Sequence, residues 1–159
     1  MKTNIKFSIL CLMAVSFSMF TSCGDDDDEK SDTTKPVIAL DEPAEGDSLR
    51  IGAPIHFEMD LSDNEHLKSY KVDIHNNFDG HNHALKAATT TEAFTYNHSW
   101  DVSGLKNTHI HHHEIVISEN ATPGKYHLMV YCTDEAGNET FIARNIVLSN
   151  DVEADHDED

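Results

Sequence analysis

Seven of the chain's twelve histidines fall in two short segments, His75-Asn-Asn-Phe-Asp-Gly-His81-Asn-His83 and His109-Ile-His111-His112-His113-Glu114. Neutral imidazole is the commonest side-chain ligand for zinc, copper and nickel, and a site needs three or four such donors converging. Histidines this close together supply donors without many separate long-range contacts, so the two segments predict a metal-binding surface. In the first segment Asn76, Asn77, Asp79 and Gly80 are turn formers, which lets the chain fold back and bring His81 and His83 toward His75. Those three imidazoles with Asp79 suffice for a tetrahedral zinc site, with a copper or nickel site as the alternative. In the second segment His109, His111 and His113 share one side of an extended chain, the side that also carries Ile115 and Ile117. Burying three unpaired imidazoles is costly, so His111 and His113 are expected beyond the end of the fold, reaching the first cluster. The competing reading of both segments is a polar, solvated loop. His56, His66, His98 and His127 are scattered and read as ordinary surface residues.

Other chemistries find less support. Asp63-Asn-Glu65 and Asp134-Glu135 offer oxygens to calcium, but no EF-hand or regular Asp-rich loop is present. There is no nucleophile elbow, phosphate-binding loop, HExxH or CxxC. Glu114 could serve a hydrolytic zinc centre as a base, yet nothing else in the sequence favours catalysis, and the chain is not expected to be an enzyme.

The elements that must hold these residues are short strands. Ile55, Phe57, Met59 and Leu61 alternate with His56, Glu58 and Asp60, the period of a half-buried strand. The same alternation runs through Tyr70 to Ile74, through Tyr126 to Cys132 and through Ile142 to Leu148. Val37–Leu40, Phe94–Trp100 and the pair Ile115 and Ile117 complete about seven strands. Turn signals at Pro43–Gly46, Gly52–Pro54, Ser62–Glu65, Thr122–Gly124 and Asp134–Asn138 separate them. No long stretch has helical periodicity. The expected fold is all-β, an antiparallel immunoglobulin-like β-sandwich spanning residues 36–149. Trp100 then reads as core, and Cys132, in phase with Leu128 and Val130, as a buried structural thiol.

The ends of the chain address it rather than fold it. Lys2 and Lys6, an apolar run from Ile9 to Phe20 and the small residues Thr21 and Ser22 form a signal peptide over residues 1–22. Phe20-Thr-Ser-Cys23 resembles a bacterial lipobox, with Phe20 where the pattern prefers Leu, so Cys23 is the expected lipidation site. An ordinary secretory peptide is the alternative. Residues 23–35 form a tether whose run Asp25–Glu29 resembles the acidic export signal of outward-facing outer-membrane lipoproteins, or simply stays extended by self-repulsion. Residues 150–159 are an acidic tail with almost nothing to bury. The formal charge is −18, and −20 once the leader's two lysines are removed. That excludes nucleic acid as a partner and leaves the acyl chains as the membrane anchor.

The frame Pro36-Val-Ile…Pro43-Ala-Glu-Gly46, Asp63…Leu67…Tyr70-Lys-Val-Asp-Ile-His75 and Pro123-Gly-Lys-Tyr126…Asp134-Glu-Ala-Gly-Asn138 is similar to bacterial immunoglobulin-like domains generally. With the segment His75–His83 and the lipobox, it resembles the bacterial surface-lipoprotein family catalogued as domain of unknown function 4625. The resemblance covers roughly residues 36–149 and implies a fold and a location but no established activity. Two functions are therefore expected from the residues. One is metal capture, zinc first, at the outer membrane (or facing the periplasm), with handover to an outer-membrane transporter. The other is an adhesion or glycan-binding module with incidental histidines, for which Phe78 and Tyr131 are the outward aromatics.

Overall fold

The structure, a computed structural model, describes residues 32–77 and 91–152 of the chain. Among the described residues it is an all-β sandwich of eight strands: β1 (Val37–Glu42), β2 (Ser48–Arg50), β3 (Phe57–Ser62), β4 (Leu67–Asn76), β5 (Tyr96–Asp101), β6 (Asn107–His112), β7 (Gly124–Asp134) and β8 (Glu139–Ser149). One sheet has the order β1-β3-β6 and the other β2-β8-β7-β4-β5. Every pair is antiparallel except β2 with β8. Among the described residues no helix is long and apolar enough to cross a membrane.

Alternation in the sequence becomes two apolar inner faces. Phe57, Met59 and Leu61 of β3 meet Val72 and Ile74 of β4, Leu128 and Val130 of β7 and Ile146 of β8, all at most 1% exposed. Each such side chain contributes roughly 1.5–3 kcal/mol by leaving water. Tyr126, at the start of β7, adds a polar fastening to this core. Its hydroxyl donates to the Thr122 carbonyl at 2.7 Å and accepts from the Phe94 amide at 3.2 Å. That geometry is the tyrosine corner of immunoglobulin-like sandwiches. Cys132 lies in the same inner row, and burial pushes its thiol up to about 12, so the thiolate nucleophile is not available.

Three details differ from the sequence expectation. The three-residue β2, too short to show alternation, pairs in parallel with Val147–Ser149 of β8. The sixth strand is Asn107–His112 rather than Ile115–Ile117, although Ile115 and Ile117 are fully buried. Ile110 and His112 face the core side of β6, so the inward phase breaks between His112 and Ile115, and His109 and His111 point outward. Phe94 is buried but precedes β5, which begins at Tyr96.

Candidate metal centre

Strand pairing assembles the site. β6 runs antiparallel to β3, setting His111 opposite Glu58, His112 opposite Phe57 and His109 opposite Asp60. Because Phe57 and Met59 point into the core, Glu58, Asp60, His109 and His111 share the outer face of the three-stranded sheet. His56, immediately before β3, has the parity of Glu58, and His113, immediately after β6, has that of His111. The result is a trio of imidazoles, His56, His111 and His113, whose nearest ring nitrogens all lie within 4.8 Å of one another. Ring centroids stand 5.0 Å apart for His56 and His111, 5.1 Å for His56 and His113, and 5.5 Å for His111 and His113. With zinc–nitrogen bonds of about 2.0–2.1 Å, tetrahedral imidazole ligands place their centroids about 5.2 Å apart. The rings already have that separation.

A carboxylate completes the donor set. Glu58 Oε2 is 3.6 Å from His56 Nε2, and its Oε1 is 3.5 Å from His109 Nε2. His109 in turn is held through Nδ1 by Asp60 Oδ1 at 3.0 Å. Three neutral imidazoles with one carboxylate match the ligand classes of borderline divalent ions, and the Asp60–His109 pair is the kind of outer contact that orients such ligands. Exposure of His111 and His113 gives an ion direct access from solvent.

His112 belongs to the core rather than to this site. Its ring lies between Phe57 and Trp100, 5.1 Å from each, and its Nε2 is 3.3 Å from the Tyr70 hydroxyl. Burial lowers its pKa, only partly opposed by the Glu114 carboxylate, so it is neutral at physiological pH. Glu114 accepts a hydrogen bond from Trp100 Nε1 at 3.0 Å. Trp100 stacks on Tyr70 at 4.7 Å, as a partly buried lining residue.

The two histidine segments do not meet among the described residues. His75 is on the outer face of the five-stranded sheet, paired with His127 across β4 and β7, whereas His111 and His113 lie on the outer face of the opposite sheet. Asp79, His81, His83 and Phe78 lie outside the described residues. His56 is the member of this trio that the sequence alone does not single out. Its signal was present as the outward parity with Glu58, but it becomes meaningful only once β3 is known to pair with β6.

A second cluster is made of oxygen donors. Asp32, Asp63 and Asp134 bring one carboxylate oxygen each within 4.8 Å of the others. Asp134 is 1% exposed and accepts from the backbone and side-chain nitrogens of Asn138, both at 2.7 Å. Asp32, from the segment assigned to the tether, also accepts from Asn138 through its carbonyl, at 3.0 Å. Glu65 donates its amide to Asp63 Oδ2, so Asp32 takes the place expected for Glu65 in this group.

The family described as Domain of unknown function (DUF4625) matches residues 21–149. The chain belongs to this family. No curated protein matches it. The matched span includes the whole sandwich and the three-histidine cluster, so both are features of a member of the family, which carries no assigned activity.

Proposed function

We propose that the chain is a surface lipoprotein that binds a borderline divalent metal ion, zinc foremost, with copper or nickel as alternatives, and delivers it to an outer-membrane transporter. The observation that carries this reading is the convergence of His56, His111 and His113 at ligand spacing, with Glu58 as an adjoining carboxylate. An open, solvent-facing set of this kind suits capture and release better than a closed structural site, which buries all four ligands. Lipidation at Cys23 and the acidic run after it support attachment to the outer membrane. His75, Asp79, His81 and His83 remain proposed as a further ligand group. Calorimetry with zinc on the chain from residue 31 onward tests the reading. A dissociation constant below about 10 μM, near −7 kcal/mol, is expected. Binding weaker than that, or unchanged on His111→Ala with His113→Ala, rejects it.

One observation favours the alternative of a glycan-binding module. Phe141 is 62% exposed on the outer face of the five-stranded sheet, 5.8 Å from Tyr131, and Lys71 Nζ sits 4.1 Å from the Tyr131 ring. Flat ring faces beside a polar group suit stacking of a sugar. Glycan binding that is lost on Phe141→Ala and indifferent to chelators would favour that reading over metal capture.

A further inference from the structure

The opposite face of the sandwich holds a separate pair of imidazoles. His75 of β4 and His127 of β7 are directly opposed in the antiparallel register, and their rings meet edge to face with centroids 5.5 Å apart. Directly opposed residues have their Cβ atoms about 4.5–5.5 Å apart, so the pairing is set by the sheet and not by a flexible loop. Two imidazoles in neighbouring positions on one ion, with metal–nitrogen bonds near 2.0 Å, have centroids about 4.5–5 Å apart. The observed separation of His75 and His127 is within about 1 Å of that distance.

The carboxylate beside them selects the nitrogen that is left free. Asp73, two positions before His75 and on the same face, has Oδ1 at 2.7 Å from His75 Nδ1, while its Oδ2 accepts from Asn97 Nδ2 of β5, also at 2.7 Å. An ionised carboxylate only accepts, so Nδ1 of His75 carries the proton and Nε2 presents its lone pair. A carboxylate that fixes the tautomer of a ligating histidine is the recurrent outer shell of protein metal sites. His75 is 45% exposed at its side chain, which leaves water or an exchanging ligand room on the ion.

We propose that His75 and His127, oriented by Asp73, form a second metal site, distinct from the three-histidine centre, that takes copper(II) in preference to zinc. Two imidazoles with remaining positions open to water are a sparse set. The ion that binds nitrogen donors most strongly among the divalent first-row metals therefore gains the most there, and its tetragonal geometry accepts adjacent nitrogens. His127 is the residue that distinguishes this site from any set made by the His75–His83 segment alone.

The test uses the chain carrying His111→Ala and His113→Ala, so that the first centre is removed, titrated with copper(II) and followed by electron paramagnetic resonance. One bound equivalent with a two-imidazole nitrogen pattern is expected. Adding His127→Ala or His127→Gln weakens binding at least about 10-fold and removes one nitrogen from the pattern, and Asp73→Asn costs about 10–100-fold. Thermal unfolding without metal establishes that each variant is folded. Absence of copper binding in the His111/His113 variant overturns the proposal, as does binding by both His127 variants as tight as in their parent. Zinc calorimetry on the unsubstituted chain, compared with the His111/His113 variant, reports the first centre separately, so failure of either site leaves the other readable.

Discussion

His56→Ala is the most discriminating substitution at the three-histidine centre, because only the folded pairing of β3 with β6 brings that residue to His111 and His113. If the unsubstituted protein binds zinc with a dissociation constant of about 1 μM, then 100 μM free zinc stabilises it by about 2.7 kcal/mol. For a sandwich of roughly 120 residues, 1 kcal/mol moves the melting temperature by about 4 °C, so zinc should raise it by about 10 °C. Losing one of three imidazoles should cost at least as much as losing an orienting contact, taken as about 100-fold in affinity. The same zinc concentration then contributes about 0.4 kcal/mol, and the rise shrinks to about 1–2 °C. Differential scanning fluorimetry with and without zinc, against a chelated control, measures the difference within each variant, which removes any effect of the substitution on the metal-free fold. Equal zinc-induced shifts in His56→Ala and the unsubstituted protein would refute the assignment.

Zinc affinity should collapse on acidification. An imidazole must be deprotonated to bind a metal, so protons compete with zinc at each of three histidine ligands and affinity at pH 5 should fall far below that at pH 7.5. Calorimetry at the two values that finds full affinity at pH 5 would instead implicate the Asp32, Asp63 and Asp134 group. His112 is neutral in the fold with a lowered pKa, so the unfolded chain takes up its proton first. Its contribution to stability is therefore lost as pH falls from about 6.5 toward the folded value, and urea titrations of His112→Gln should show a shallower decline over that window. Tyr126→Phe leaves the Thr122 carbonyl and the Phe94 amide without the hydroxyl, and should cost about 1–3 kcal/mol in urea denaturation with the slope unchanged.

The sandwich was legible where one face is strictly buried. Phe57-Glu-Met-Asp-Leu61 and Tyr126 to Cys132 alternate because each inward residue is almost fully buried and each outward one meets water. β6 was misplaced because its inner positions are Thr108, Ile110 and His112, only one of them aliphatic, and because the phase breaks before Ile115. The same break takes His109 and His111 off the side of Ile115 and Ile117 and sets His111 within β6 rather than beyond the end of the fold. Convergence of His56 with His111 depends on a pairing between residues some 55 positions apart, which no local pattern encodes. His127 was overlooked for the same reason, since it meets His75 only through the register of β4 and β7. Phe141 escaped notice because it sits in the outward row of β8 with Ala143 and Asn145, where the alternation marks only the inner residues.

The most direct measurement is X-ray absorption at the zinc edge on the protein loaded with one equivalent of zinc. Three imidazole nitrogens at about 2.0–2.1 Å, with a carboxylate or water oxygen as the remaining ligand, are predicted, and one nitrogen should be lost in His56→Ala. A shell made mainly of oxygens, or a spectrum unaltered by His56→Ala, would contradict metal binding at this centre.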